Sequence, residues 1–249
     1  MTEISSRKNE YIRHLRQLCA ERSYRTECGE FLCDGLKLLR EAVQFGAKLT
    51  SVLWKEEAQT VPGLDCAGQY IAPAELFDYV SPMKNSPGPL FTVAIPERDE
   101  ASPIGRAIVL ENVQDPGNVG TVIRTANAFG IDAVILTGDC ADLYNPKTVR
   151  STMGAIFRQR VISCTVDELM PILSRNALPL YGAALSDRAV SILTVDVKRA
   201  AVAVGSEGRG LTDRLLGLCD KPVIIPMQPD SESLNAAVAA SVIMWEMAR

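Results

Sequence analysis

The chain reads as an α/β protein: a C-terminal parallel sheet with helices on both faces, preceded by a small α/β domain. Three observations predict this. From residue 107 onward, short apolar runs of strand length alternate with stretches of helical periodicity. Those runs are continuously apolar and do not alternate, as expected of strands buried on both faces. Between the two parts lies PERDEASPIG (96–105), charged, weakly apolar and carrying Pro and Gly at its ends, which marks a boundary. A chain of 249 residues holds one large domain or two ordinary ones. The expectation is one domain over 1–97 and a second over 105–249.

In the N-terminal part Tyr11, Leu15 and Leu18 form a helical stripe, and Leu36, Leu39, Val43 and Ala47 a second. Strand-like runs follow at LTSVLW (49–54), QYIA (69–72) and FTVAI (91–95), while KNSPGP (84–89) requires a loop. The C-terminal strands are AIVLEN (107–112), DAVILTG (132–138), LPLYGAAL (178–185), AAVAVG (200–205) and KPVIIPM (221–227). Helical patterns fit between them at about 118–129, 147–153, 166–175 and 211–217. A last helix is expected over 233–248, with Asp230 or Ser231 as its N-cap. Strands alternating with helices give a parallel sheet.

Composition narrows the function. The hydrophobic fraction is 47%, that of a globular protein, and no apolar run is long enough to span a bilayer. The segment MTEISSRKNEYIRHL lacks the apolar core of a secretory signal. Seven cysteines are scattered without a CxxC pair and His14 is the only histidine, so no metal site is expected. The cysteines read as reduced thiols of a cytoplasmic protein. A net charge of −4 argues mildly against nucleic acid, but local charge decides. Residues 7–40 carry eight Lys or Arg against five acids, and 147–160 carry Lys147, Arg150, Arg158 and Arg160 with no acid. Such runs are solvated faces or the walls of a phosphate-binding groove.

Three polar clusters sit where apolar runs end, the place where α/β proteins put their chemistry. The first is Asn118-x5-Arg124 in DPGNVGTVIRTANAFG. An amide that donates and accepts, beside a permanently charged guanidinium, suits a ribose hydroxyl and its phosphate. It suits equally a helix cap with a surface ion pair. The second is Glu207 in GSEGRGL, where glycines let the backbone approach a ligand or simply turn. Its G-x-x-G-x-G pattern has the wrong spacing for a dinucleotide fingerprint. The third is Ser233-Leu234-Asn235 in DSESLNAAVAA, at the mouth of the final helix with its free N–H groups. Ser233 reads also as a second cap, whereas Asn235 calls for a partner.

In this order the three clusters resemble the three motifs of the SpoU (TrmH) family of RNA ribose 2′-O-methyltransferases, in the SPOUT superfamily. YNPKTVRSTMGAIF (144–157) looks like the family's segment between its first two motifs. RSYRTECGEFLCDGLKLLREAVQFG (22–46) is similar to its small N-terminal RNA substrate-binding domain, which has a ribosomal-protein-like fold. The resemblance implies a deep trefoil knot and a homodimer with the active site completed across the interface. It implies S-adenosyl-L-methionine as cofactor, held by main-chain groups of Gly205, Ile225 and Leu234. The reaction would be methyl transfer from a sulfonium to a ribose 2′-hydroxyl. Arg124 would be central, as base or as phosphate anchor. Asn118 and Asn235 would position the hydroxyl and the arginine, Glu207 would fix Arg124 or a backbone amine, and Ser233 would join the same network. Arg150, Lys147, Arg22 and Arg25 would contact RNA. Ribosomal RNA is expected ahead of transfer RNA, with guanosine the family's commonest target. Two other readings stay open: a non-catalytic RNA-binding or ribosome-assembly protein on the same scaffold, and a small-molecule enzyme using a nucleotide at the GSEGRG turn.

Overall fold

The computed structural model describes residues 1–56, 61, 63–97, 99, 101–228 and 233–249. In chain order the elements are β1 (Thr2–Glu3), α1 (Glu10–Ala20), α2 (Arg22–Cys28), β2 (Glu30–Asp34), α3 (Leu36–Gln44), β3 (Leu49–Lys55), β4 (Gly68–Ala72), α4 (Ala74–Val80) and β5 (Leu90–Ala94). There follow β6 (Ala107–Glu111), α5 (Pro116–Phe129), β7 (Ala133–Thr137), α6 (Pro146–Ser151), β8 (Val161–Cys164), α7 (Val166–Arg175) and β9 (Leu180–Ala183). The last are β10 (Val190–Ser191), β11 (Ala201–Val204), α8 (Asp213–Leu218), β12 (Lys221–Ile224) and α9 (Ala236–Ala248). Contacts gather the chain into two units, Met1–Glu97 with Asp142–Phe157, and Arg98–Ala141 with Arg158–Arg249.

The first unit is built on a mixed sheet of order β1-β4-β3-β5-β2. β3 runs parallel to β4 and antiparallel to β5, which runs antiparallel to β2. Strand side chains alternate between two cores. Leu32, Leu53 and Leu90 face a layer formed by Ile12, Leu15 and Leu18 of α1 and by Leu76, Phe77 and Val80 of α4. Phe31, Trp54 and Phe91 face Leu38, Leu39 and Ala42 of α3 and Val149 of α6. The stripe expected on α3 is thus rotated: Val43 is exposed, and Ala47 lies beyond the helix.

Asp142–Phe157 folds into this first unit, although the sequence reading placed it in the second domain. Besides the burial of Val149, an ion pair and an aromatic cluster hold it there. Arg25 of α2 is buried, with Nε and Nη2 donating to Asp142 Oδ2 at 3.0 and 2.6 Å. Phe31 packs against the rings of Tyr144 and Phe157, with centroids 4.7 and 6.4 Å away.

The second unit holds a seven-stranded sheet of order β10-β12-β9-β11-β6-β7-β8, parallel at every pairing. The parallel sheet read from the apolar runs is present, with two additional edge strands, β8 and β10. Val109, Ile135 and Ala203 pack with Leu169 and Leu173 of α7 and Leu215 of α8. The intervening Ile108, Val134 and Val202 are fully buried from the opposite direction. α5 and α9 pack on each other and reach β7 and β11. α9 begins at Ala236, not 233, and its N-cap is Asn235. The expected caps Asp230 and Ser231 lie outside the described residues. No helix among the described residues is long and apolar enough to cross a membrane.

Candidate active site in the second unit

Parallel strands point their C-terminal ends to one edge of the sheet, so the loops after β6, β11 and β12 emerge together. Each loop is shaped by a local device. After β6, Asp115 caps α5 by accepting from the Asn118 N–H at 2.9 Å, and Pro116 occupies the first turn, where its missing N–H costs nothing. Asn118 is thereby fixed in the first turn of α5.

After β11 the chain folds back on itself. A Cβ on Gly205 would lie 2.0 Å from the carbonyl carbon of Gly210, so only glycine permits the turn. The Gly210 N–H closes it onto the Ser206 carbonyl at 2.9 Å. The turn lifts Glu207 into solvent. Its exit is fixed by Glu111, a carboxylate only 2% exposed at the end of β6. Glu111 accepts from both the N–H and the hydroxyl of Thr212, each at 2.7 Å. Sequence reading missed Glu111; the available signal was one acid at the end of the apolar run AIVLE.

After β12, Asn235 caps α9 with its side-chain oxygen, accepting from the N–H groups of Ala237 at 2.9 Å and Val238 at 3.3 Å. The cap determines which way the amide faces. Its Nδ2 donates to Glu207 Oε1 at 2.9 Å and to Asn118 Oδ1 at 3.2 Å. Asn118 Nδ2 donates to the same Glu207 oxygen. Two asparagines therefore close on the carboxylate of Glu207, and the three residues come from three loops.

The other expected site residues surround this triad without joining it. Ser233 is exposed and Leu234 half-buried in the stretch leading into α9, and Ile225 is half-buried just past β12. Arg124 stands six residues beyond Asn118, about 9 Å further along α5 at 1.5 Å per residue. It is exposed and makes no hydrogen bond or ion pair to another described residue. Glu207, expected to fix Arg124 or a backbone amine, here receives the two asparagines on Oε1. The donor set suits an organic cofactor: main-chain groups of a folded-back glycine turn, a helix mouth, and a carboxylate complementary to a cationic ligand.

A sequence model of the SpoU rRNA Methylase family matches residues 105–245, more than half of the chain and all three loops. The chain belongs to the SpoU rRNA methylase family. Over 248 residues it is 31% identical to the 23S rRNA (guanosine(2553)-2′-O)-methyltransferase RlmP of Bacillus subtilis, covering 99% of each. It is 29% identical to the 23S rRNA (uridine(2479)-2′-O)-methyltransferase of Streptomyces viridochromogenes, covering 99% of this chain and 91% of that one. The crystal structure of the SpoU methyltransferase AviRb from Streptomyces viridochromogenes, in complex with the cofactor AdoMet, superposes with a TM-score of 0.88. That likeness covers 97% of each chain at 26% identity. The family resemblance read from the three motifs is borne out.

Within this SpoU chain the basic residues expected to contact RNA fall in the first unit, and they divide. Lys147 and Arg150 on α6 are exposed, and Arg22 is 67% exposed with its Nε 3.9 Å from Asp142. Arg25 is 3% exposed, with Nη1 donating to the carbonyls of Leu18 and Cys19 as well as the Asp142 contacts. It holds the unit together and presents nothing to RNA. Arg158 and Arg160 are likewise engaged, on Asn127 Oδ1 at 2.9 Å and on the Ser102 carbonyl at 2.7 Å.

Proposed function

We propose that this SpoU methylase transfers a methyl group from S-adenosylmethionine to a ribose 2′-hydroxyl of ribosomal RNA, with guanosine the favoured nucleoside. The observation that carries the proposal is the closure of the family's three motifs on Glu207. The relatives named for methylation of 23S rRNA match this chain nearly end to end, which supports ribosomal RNA over transfer RNA.

Bound at the three loops, S-adenosylmethionine supplies a methyl group already activated on sulfur. Main-chain groups of Gly205, Ile225 and Leu234 would hold it. The residues of the chain then have to orient the ribose and manage its proton, because a neutral hydroxyl is a poor nucleophile. Arg124 carries a permanent positive charge, so its task is to anchor the RNA phosphate and to stabilise the oxygen as its proton passes to solvent water. Asn118 keeps one N–H and one oxygen lone pair for the hydroxyl, Asn235, whose own amide is fully engaged, positions Asn118, and Glu207 keeps both amides in register. Ser233 adds a hydroxyl at the mouth of α9.

Four finer features complete the reading. Val238, Val242 and Trp245 form an exposed apolar stripe on α9, 48%, 40% and 57% exposed, which suits a second copy of the chain. A guanidinium at Arg124 without a partner among the described residues fits a site completed across such an interface. β12 lies between β9 and β10, both earlier in the chain, as a knotted C-terminal segment requires. The first unit is the RNA-binding domain of ribosomal-protein-like fold, and the seven free cysteines suit the cytoplasm.

The test is tritium transfer from labelled S-adenosylmethionine into purified ribosomal and transfer RNA, beside Arg124→Ala. Label in 23S rRNA, absent with a folded Arg124→Ala protein, is expected. Label only in transfer RNA overturns the substrate, and no label with intact cofactor binding overturns the reaction.

A further inference from the structure

The first unit contains a cleft of about 300 Å³ that the methyl-transfer chemistry does not use. Its walls include Leu38, Met83 and Val149, and Lys147 and Arg150 of α6 line it as well. Asp34, the last residue of β2, also lines it. The volume is at the small end of ligand pockets, about 300–1,000 Å³, and matches one nucleotide and not a duplex.

Asp34 is organised in a way that an ordinary surface carboxylate is not. The Ser81 hydroxyl donates to Oδ2 at 2.7 Å, and the Ser86 hydroxyl donates to Oδ1. Each oxygen has two lone pairs, so each keeps one acceptor position. Burial pushes the carboxyl above its usual range, with Ser86, Ser81 and the charge of Arg150 pulling it back. The ionised group is therefore short of hydrogen-bond donors, and two parallel N–H groups would complete it.

We propose that this cleft binds an unpaired guanine of the RNA substrate, its N1–H and N2–H donating to the two oxygens of Asp34, with Lys147 and Arg150 on the adjoining phosphate. The proposal rests on the RNA-methyltransferase reading and concerns the first unit only. Among the bases only guanine presents two adjacent donors on its Watson–Crick edge. Adenine and cytosine set a ring-nitrogen acceptor beside the amino group, and uracil flanks its single N–H with carbonyls; each turns an acceptor toward a carboxylate oxygen. The apolar walls and the polarisable Met83 thioether suit the faces of a base.

The experiment is calorimetric titration of the full chain with GMP, AMP, CMP and UMP, with S-adenosylhomocysteine at saturation to block the cofactor site. GMP is expected to bind at least about tenfold tighter than UMP, the usual size of a bidentate base contact. Asp34→Asn should bring GMP to the level of UMP, and Arg150→Ala should weaken all four alike. Should Asp34→Asn lower the melting temperature, Met83→Trp fills the cleft from its loop and should abolish GMP binding in a folded protein. Equal binding of the four nucleotides, or a guanine preference that survives Asp34→Asn or Met83→Trp, overturns the proposal. Methyl transfer to ribosomal RNA measured on the same preparations separates the two readings. Transfer without guanine preference sinks the cleft alone, and preference without transfer sinks the reaction.

Discussion

One side chain, Asn235, starts a helix with its oxygen and orders the site with its nitrogen. Glu207→Gln tests how far that order matters. The substituted amide keeps an oxygen for both asparagine N–H groups but removes the charge. A hydrogen bond to a charged group contributes about 1–1.5 kcal/mol more than a neutral one, so methyl transfer should fall roughly 5- to 10-fold while the melting temperature holds. Unchanged kcat would remove Glu207 from the chemistry. In the first unit, Glu30 makes a second residue-level prediction. Its carboxyl is held below the usual range chiefly by His14, whose Nε2 lies 3.6 Å away, against the upward push of burial and with help from the Thr50 hydroxyl. A lowered folded value means that the group stabilises fully above the ordinary glutamate value of about 4.3. That gain is lost as pH falls through the folded value. His14→Ala removes the main cause, so acid unfolding followed by far-ultraviolet circular dichroism should begin at higher pH. A midpoint that stays in place would refute the pairing. The motif residues were legible in the sequence by type and order. Their meeting was not, because Asn118 and Asn235 are 117 residues apart in the chain. The same distance separates Arg25 from Asp142, which is why a buried arginine read as a surface one. Asp34 belongs to no motif, and its two serines lie 47 and 52 residues downstream.

At the scale of elements, the glycine turn after β11 is the most constrained. Gly205→Ala places a methyl on the backbone of Gly210 and Leu211, neither of which has a flexible end to move aside. Overpacking of this kind costs about 3 kcal/mol. At roughly 2–4 °C per kcal/mol for a chain of this size, the melting temperature should drop by about 6–12 °C. Binding of S-adenosylmethionine should be lost with it; an alanine variant that binds normally would show that the turn does not cradle the cofactor. The central strands were readable because burial on both faces leaves an unbroken apolar run, as in AVILT of β7. The edge strands were not. β8 is only partly buried and mixes VISC, and β10 has two residues, so neither carries a pattern. α2 was hidden for a related reason, since RSYRTEC buries an arginine where a helix usually buries an aliphatic residue.

At the scale of the molecule, the apolar stripe of α9 sets a prediction about assembly. Val242→Glu puts a charge in its middle, 40% exposed in the single chain and so harmless to its fold. Sedimentation should then give the mass of one chain, and methyl transfer should be lost with secondary structure retained. A variant that stays dimeric would move the interface elsewhere. The position of β12 inside the sheet was beyond sequence reading, since an apolar run announces a strand but not its neighbours. The composition of the first unit has a further consequence. Asp142–Phe157 is an excursion of the chain that returns to complete a body begun at Met1. A fragment ending at residue 97 would carry Arg25 buried without its counter-charge, a loss on the order of 3–5 kcal/mol. It would also expose the ring of Phe31. The first unit is therefore no cassette: recombination at the obvious boundary would inherit a strand order without the segment that closes it, and the two halves of such a gene have to be exchanged, or evolve, as one.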